Sequence, residues 1–253
     1  MNSKKIALIT GGSRGLGRDM AISIAKKGID VLLTYYSNET AANEVVNDII
    51  SLGQKVKAFQ LDTTNINNFS NFVARLTDYL TQQYGNSHFD FLVNNAGTGV
   101  YGSVTDTTEE AFDSMMNIHF KGVYFITQKL LPLINDGGTI INISSGLTRI
   151  TFPNVSAYAS MKGAIETYTK CLAKELGTRK ITANVVAPGS IATDFGGGST
   201  KTNEDKRKAI ASITALGRVG EPEDIGGVVA FLCTPEAGWM NGQRIELSGG
   251  MMV

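Results

Sequence analysis

The sequence contains little of what marks several common classes of protein. Only two of its 253 residues are cysteines, Cys171 and Cys233, which lie far apart and form no CxxC pair. A disulfide framework or a zinc site is therefore not expected, and we predict two free, buried thiols in a reducing compartment. The two histidines, His88 and His119, have no metal-ligand partner at a useful spacing, so we predict no metal site and assign both structural or surface roles.

An excess of one charge and a long apolar run are also absent. The 23 basic residues balance 23 acidic ones, whereas a nucleic-acid surface normally shows a basic excess. No apolar run approaches the roughly 20 residues of a membrane helix, and the first residues lack the longer apolar region of a secretory signal. We therefore predict a cytoplasmic protein that binds neither nucleic acid nor a membrane.

Short β-branched runs alternate along the chain with helical patterns. Most of the runs are continuously apolar, which is typical of strands covered on both faces in a parallel sheet. The longest helices are predicted over 109–131 and 156–177, and Asn38 or Thr40 is expected to cap an earlier one. This order predicts an α/β protein with a single Rossmann-fold domain over residues 1–253, a doubly wound seven-stranded parallel sheet with helices on both faces. The predicted strands are 5–10, 30–36, 55–61, 90–95, 138–144, 181–188 and 243–248.

One Gly-rich and then charged segment, residues 195–210, interrupts this pattern. It fits a solvated loop and helix, and it also fits a mobile lid over a substrate, at about 190–213, hinged at Gly196, Gly197 and Gly198. Its position just beyond a strand favours the lid.

The stretch "TGGSRGLG", residues 10–17, joins the first strand to the first helix. Its glycines Gly11, Gly15 and Gly17 allow close approach of a ligand, and the helix N-terminus offers free N–H groups to a pyrophosphate. A site for NAD usually has a carboxylate at the end of the second strand, but here that end reads Tyr36 and Ser37. Arg14 could instead meet a 2′-phosphate, or could be an ordinary exposed arginine. We therefore predict NADP(H) as cofactor rather than NAD(H).

Tyr158 and Lys162 lie four residues apart in a predicted helix, so both side chains leave one face. In an arbitrary helix the tyrosine would pack in the core and the lysine would reach solvent. The small residues around this pair would let other backbones come close, which favours a catalytic role over core packing. These neighbours are Ala157, Ala159, Gly163 and Ala164.

The glycine loop is followed along the chain by "NNAG" (94–97), "ISSG" (143–146), "YASMK" (158–162) and "PGSIATD" (188–194). As a set, these motifs closely resemble those of the short-chain dehydrogenase/reductase family. The resemblance covers nearly the whole chain. It implies reduction of a ketone to a secondary alcohol, or the reverse. It also implies that Tyr158 is the general acid/base and Lys162 its partner. Ser145 would be the catalytic serine, and Asn117 would help hold a relay water. A cation beside the phenol would lower the pKa of Tyr158.

The glycine loop and the resemblance together imply a set of cofactor contacts distributed over the strand ends. These are the carboxyl-terminal ends of the strands, where open α/β sheets bind ligands. The set comprises Gly11, Ser13, Arg14, Gly15, Leu16, Gly17, Tyr36, Ser37, Asp62, Thr63, Asn94, Ala96, Gly97, Tyr158, Lys162, Pro188, Gly189, Ile191 and Thr193.

A mostly apolar substrate wall is expected, which suggests a hydrophobic small-molecule ketone or alcohol. Arg149 could meet an anionic group or be purely structural. The predicted wall consists of Val100, Tyr101, Leu147, Phe152, Ile191 and Phe195.

The closest specific resemblance is to 3-oxoacyl-[acyl-carrier-protein] reductases, which often carry basic residues where this chain has Asp136 and also where it has Arg179 and Lys180. The acidic residue would repel an acidic carrier, so acyl-carrier dependence is kept as an alternative. A non-catalytic dinucleotide sensor is the alternative from another class.

The two long helices suggest a homo-oligomer, a dimer or tetramer, and Trp239 and Phe231 are assigned to the core or to a subunit interface.

Overall fold

The computed structural model describes residues 4–253 and contains one seven-stranded sheet. All neighbouring strands are parallel, in the order β3-β2-β1-β4-β5-β6-β7. The predicted doubly wound α/β fold is confirmed. The strands are β1 (Ile6–Ile9), β2 (Asp30–Tyr35), β3 (Val56–Gln60), β4 (Phe89–Asn94), β5 (Ile134–Ile143), β6 (Thr182–Pro188) and β7 (Arg244–Leu247).

Nine α-helices cover the two faces of the sheet and one end of it within residues 4–253. Asn38 caps the second of them, because its side chain accepts a hydrogen bond from the Ala41 N–H at 2.9 Å. The helices are α1 (Gly15–Lys26), α2 (Glu39–Ser51), α3 (Phe69–Tyr84), α4 (Glu109–Met116), α5 (Gly122–Leu130), α6 (Ser156–Glu175), α7 (Ser199–Thr202), α8 (Glu204–Ser212) and α9 (Glu223–Leu232).

Successive strand residues point to opposite faces, which divides the interior into two cores. Leu8 belongs to the core under α3, α5 and α6, whereas the adjacent Ile9 belongs to the core under α1, α2 and α9. The pair Ile140 and Ile141 divides in the same way. Strands β1, β2, β4, β5 and β6 contribute buried residues to both cores, so the loops at their carboxyl ends rest on a packed scaffold.

The predicted helix 109–131 is not continuous. A wide π-helical turn, Asn117–Lys121, joins α4 to α5. Such turns add one residue to a helical turn and therefore change which side chains face a given direction. This change matters for the site described below.

One prediction about burial is wrong, and one alternative of a second is excluded. Cys233 is buried, but Cys171 is exposed on α6, so only one of the thiols belongs to the core. Trp239 is fully exposed and Phe231 is 39% exposed, which excludes a core role in this chain and leaves the interface assignment as a prediction. Among residues 4–253, no helix has the length and apolar character needed to cross a membrane.

Candidate active site

A cleft of about 1080 Å³ lies at the carboxyl ends of the strands. It includes the point where the strand order reverses between β1 and β4, which is where open α/β sheets bind ligands. Its wall is formed by segments that follow β2, β3, β4, β5 and β6, namely 34–36, 61–64, 95–98, 143–147 and 188–191.

The glycine loop closes one end of this cleft and is fixed by hydrogen bonds to its neighbours. The Gly11 N–H donates to the Thr34 hydroxyl at 3.1 Å, and the Asn95 side-chain amide donates to the carbonyls of Thr10 and Gly11, each at 3.0 Å. A Cβ atom at Gly17 would collide with the Gly11 carbonyl oxygen. The loop therefore lies tightly against α1, with the N–H groups of the first turn of that helix at the cleft.

Most of the predicted cofactor contacts line the cleft, but Ser37 and Asn94 do not. Ser37 is exposed on the bend after β2, and Tyr35 and Tyr36 form the wall there instead. Asn94 is buried, and its amide donates to Thr127 and Asn142 across the sheet. The residues that line the cleft as predicted are Gly11, Ser13, Arg14, Gly15, Leu16, Gly17, Tyr36, Asp62, Thr63, Ala96, Gly97, Tyr158, Lys162, Pro188, Gly189, Ile191 and Thr193.

Asn95, the residue after Asn94, was missed by the sequence analysis although it lines the cleft and holds the glycine loop. The alternation of side chains along β4 was the available signal. Asn94 continues the inward direction of Leu92, which leaves its successor free to reach the loop.

Tyr158 and Lys162 lie together on α6 and both line the cleft, although their relative exposures are only 7% and 6%. The Lys162 ammonium is 5.7 Å from the centre of the Tyr158 ring. It donates a hydrogen bond of 2.7 Å to the Ile143 carbonyl at the end of β5. Tyr158 packs in a small cluster with Met115 and Met161 yet still lines the cleft, and Lys162 is directed into the cleft rather than to solvent.

The pKa values of this pair differ from the prediction. Burial raises the pKa of Tyr158, the phenol of Tyr101 adds to that effect, and a hydrogen bond with Ser145 opposes it. The expectation that Lys162 lowers the pKa of Tyr158 is therefore wrong for the protein alone. Burial lowers the pKa of Lys162 itself to about 7. At neutral pH the tyrosine is a protonated phenol, as a proton donor must be, and the lysine titrates.

Ser145 follows β5 and begins the short turn Gly146–Thr148, whose Leu147 N–H donates to the Ser145 hydroxyl at 3.2 Å. A half-buried network of charged side chains supports this turn. Glu166 accepts hydrogen bonds from Ser144 and Arg244, both at 2.8 Å. Arg244 also donates to the Ser145 carbonyl at 3.3 Å, so the network fixes the backbone that presents the serine.

Asn117, to which the resemblance gives a relay water, is not among the residues that line the cleft. It is the first residue of the π-helical turn, it is half-buried, and its side chain has no hydrogen bond to residues 4–253. Ile118 and His119 of the turn line the cleft, as does Ser114 of the preceding helix α4. His119, to which the sequence analysis gave a structural or surface role, packs edge-on against the Tyr158 ring with centroids 5.0 Å apart.

The predicted substrate wall is largely present. Tyr101, Leu147, Phe152, Ile191 and Phe195 line the cleft, whereas Val100 lines a separate cavity of about 70 Å³ on the other side of the Tyr101 loop.

Arg149 has a structural role rather than a substrate-binding one. Its guanidinium pairs with Glu246 at 2.7 Å and donates to the carbonyls of Met251 and Met252, and it does not line the cleft.

Comparison with known proteins agrees with this geometry. The family model described as enoyl-(acyl carrier protein) reductase matches residues 11–252. The structure of a short-chain dehydrogenase/reductase from Serratia marcescens is 30% identical, with a TM-score of 0.90 over 100% of both chains. The chain belongs to the short-chain dehydrogenase/reductase family. It is an oxidoreductase that acts on carbonyl or CH–OH groups with a nicotinamide dinucleotide, so the predicted family and reaction class are confirmed.

Two further relatives of this dehydrogenase/reductase carry more specific descriptions. The hydroxynaphthalene reductase-like protein Arp2 of Metarhizium majus is 37% identical over 97% of this chain and 94% of its own length. The landomycin C-6 ketoreductase LanV, solved with bound NADP and rabelomycin, is 36% identical with a TM-score of 0.89, over 98% of this chain and 96% of its own.

Proposed function

We propose that the protein is an NADP(H)-dependent reductase of aromatic, fused-ring ketones. The observation that carries this proposal is the convergence of Ser145, Tyr158 and Lys162 on one cleft whose outer wall is aromatic. The hydroxynaphthalene reductase-like protein of Metarhizium majus and the landomycin C-6 ketoreductase support it by the compounds that their descriptions name.

The three side chains have complementary roles in this proposal. The Ser145 hydroxyl, held by its turn, binds the carbonyl oxygen and fixes its direction. The Tyr158 phenol gives its proton to that oxygen as negative charge develops, while the Lys162 ammonium stabilises the phenolate left behind. The dinucleotide supplies the hydride when it is bound.

NADP(H) is favoured by the charges at the end of β2. Arg14 lines the cleft, is exposed, and makes no side-chain hydrogen bond or ion pair with residues 4–253. The nearest carboxylate in sequence, Glu39, begins α2, outside the cleft wall, and receives a hydrogen bond from the Tyr35 hydroxyl. A 2′-phosphate would thus meet an unpaired guanidinium and no repelling carboxylate.

Replacement of Arg14 by serine should therefore weaken the binding of NADPH but not that of NADH. We expect the wild-type kcat/KM to be higher for NADPH than for NADH, and Arg14→Ser to raise the KM for NADPH about 10–100-fold with little change for NADH, as loss of a charged hydrogen bond implies. Steady-state kinetics with both cofactors and one ketone give the measurement.

The matched control is Arg18→Ser, because Arg18 is an exposed arginine of α1, the helix that Arg14 precedes. It pairs with Asp48 at 2.8 Å and does not line the cleft. Arg18→Ser should leave the preference for NADPH over NADH unchanged. A wild-type preference for NADH, or an unchanged preference in Arg14→Ser, would contradict the assignment of NADP(H).

The aromatic wall supports a planar substrate. Tyr101 and Phe195 flank Tyr158, with ring centroids 6.3 and 5.9 Å from the Tyr158 ring, and Phe152 completes the opening. All three rings are 36–47% exposed, so they present apolar faces to the cleft rather than to the core. Offset or edge-on contacts between such rings and a fused-ring ketone would orient its carbonyl toward the phenol.

A lid over residues 190–213 is part of the same proposal. Phe195, Ser199 and Ile210 from this segment line the cleft, and the three consecutive glycines 196–198 all have positive φ. Gly196 lies against Tyr101, where an added Cβ would be 2.9 Å from the Tyr101 ring. Movement at these glycines would open and close the aromatic wall around a substrate.

Acyl-carrier dependence is disfavoured by the use that the protein makes of Arg179. This arginine pairs with Asp136 at 2.7 Å and donates to the Leu131 and Ile134 carbonyls, so it is occupied within the chain. Only Lys180 of the predicted basic pair remains for an acidic carrier. A dinucleotide sensor is disfavoured by the complete set of Ser145, Tyr158 and Lys162 at the cleft.

The predicted homo-oligomer and the cytoplasmic location stay predictions. Exposed or half-buried aromatic rings on α5 and α6, including Tyr124 and Tyr168 with centroids 4.8 Å apart, are compatible with a helical subunit interface.

A further inference from the structure

His119 is the one buried histidine of the described chain, and it lies at the centre of the candidate site. Its side chain has no solvent exposure, it lines the cleft, and its ring meets the Tyr158 ring at 88° with centroids 5.0 Å apart. An aromatic pair in this edge-on arrangement holds both rings in place. The reaction as described above assigns no role to this residue.

The hydrogen bonding of His119 fixes its protonation state. Its Nε2 atom is 2.6 Å from the Thr98 carbonyl oxygen, and because a carbonyl only accepts, Nε2 carries the proton. The other ring nitrogen, Nδ1, is buried and has no hydrogen-bond partner within residues 4–253. Protonation at Nδ1 would bury an unpaired N–H in a cationic ring. Burial, and then the charge of Lys162, accordingly hold the pKa of His119 well below its usual value.

The same ring fixes the loop after β4. A Cβ atom at Gly97 would lie 2.7 Å from the His119 Cε1 atom and 3.2 Å from Nδ1, so the ring rests directly on the backbone of Gly97. Gly97 and Thr98 both line the cleft. His119 therefore touches the phenol that donates the proton on one side and the loop of the opposite cleft wall on the other.

We propose that His119 is a positioning residue for Tyr158. Through its Nε2–H bond to Thr98 and its edge contact with the tyrosine ring, it sets the distance between the proton donor and the loop Gly97–Thr98, and it remains neutral and transfers no proton. This inference rests on the proposed function, since Tyr158 is the group that it positions. His119 is the residue of the π-helical turn whose ring packs against the phenol ring.

Two substitutions separate the contacts of His119. His119→Gln keeps a donor N–H near the position of Nε2, whereas His119→Phe keeps the ring and loses the donor. We expect His119→Phe to lower kcat about tenfold, as loss of one hydrogen bond at a positioned group implies, with KM for the ketone changed less than about twofold. His119→Gln should retain kcat within about threefold, and its pH–rate profile between about pH 5 and 7 should superpose on that of the wild type.

Wild-type kcat in His119→Phe, or equal losses in the two variants, would overturn the positioning role. A shifted acidic limb in His119→Gln would overturn the claim of neutrality, because it would mean that His119 exchanges a proton. If His119→Phe does not fold, the kcat and pH profile of His119→Gln still decide.

A second readout does not depend on turnover. The chain has only two histidines, so ¹⁵N labelling of histidine resolves both rings, and His119→Gln assigns the signal. We expect the neutral Nε2–H form of His119 throughout about pH 5.5–8. Titration of this ring in that range would refute the inference, whereas a wild-type protein without ketone reduction but with a neutral His119 would refute the proposed function instead.

Discussion

Tyr158→Phe is expected to lower kcat for ketone reduction by about 10²–10⁴-fold while leaving the Kd for NADPH within about twofold of the wild type. The Tyr158 ring lies beside Lys162, with 5.7 Å between the ammonium and the ring centre. Phenylalanine keeps the ring contacts with His119 and Phe195 and removes only the proton donor. Fluorescence titration of NADPH and steady-state kinetics give the two quantities.

Tyr101→Phe provides the matched control. Tyr101 lines the same cleft, and burial raises the pKa of its phenol as well, but its ring lies 6.3 Å from Tyr158 on the substrate side. We expect this control to lose less than about tenfold in kcat, because it removes a hydroxyl that transfers no proton. Turnover near the wild-type rate in Tyr158→Phe would exclude Tyr158 as the general acid.

Lys162→Met is expected to have the second largest effect, a loss of about 10²–10³-fold in kcat/KM, as removal of one charge-stabilising donor from an active site implies. The methionine also leaves the Ile143 carbonyl without the 2.7 Å hydrogen bond that it accepts from Lys162. Lys162→Arg, which keeps a positive charge, should recover part of this loss.

The pH dependence follows from the same side chain. Burial lowers the pKa of Lys162 to about 7, so its charge is present below that pH and is lost above it. We expect wild-type kcat/KM for NADPH in ketone reduction to fall as pH rises through about 7. Lys162→Arg should lack this fall, because guanidinium stays charged. A flat wild-type profile, or a fall that persists in Lys162→Arg, would refute the role of Lys162.

The sequence was sufficient to predict the fold because the strands are covered on both faces. Continuous apolar runs such as the one that contains Leu8 and Ile9 serve two cores at once, and this pattern distinguishes a parallel sheet from a half-exposed one. The glycine loop was equally predictable, because the close contact at Gly17 tolerates no side chain.

The errors in the predicted site arise where a small local change reverses the direction of a side chain. Asn117 was assigned from the resemblance alone and His119 was given a structural or surface role, but within the π-helical turn Asn117–Lys121 it is His119 whose ring packs against Tyr158. Asn94 and Asn95 exchange roles because one residue along a strand reverses the facing side. The alternation of side chains along β4 was a usable signal for Asn95, whereas the π-helical turn was not predicted from the sequence.

The pKa of Tyr158 could not be predicted from the spacing of Tyr158 and Lys162. The spacing places a cation beside the phenol, but the burial of both groups disfavours their charged forms more strongly than the pair favours them. Only the three-dimensional surroundings of the two residues reveal which effect is larger.

The most direct test of the proposed ketone reduction follows deuterium from the cofactor to the product. Wild-type protein would be incubated with NADPH deuterated at the hydride position and a bicyclic aromatic ketone such as α-tetralone, and the product analysed by mass spectrometry. We predict a secondary alcohol that carries one deuterium on the former carbonyl carbon. Binding of NADPH without deuterium transfer to any fused-ring ketone of a broad panel would contradict the proposal that this protein is a ketone reductase.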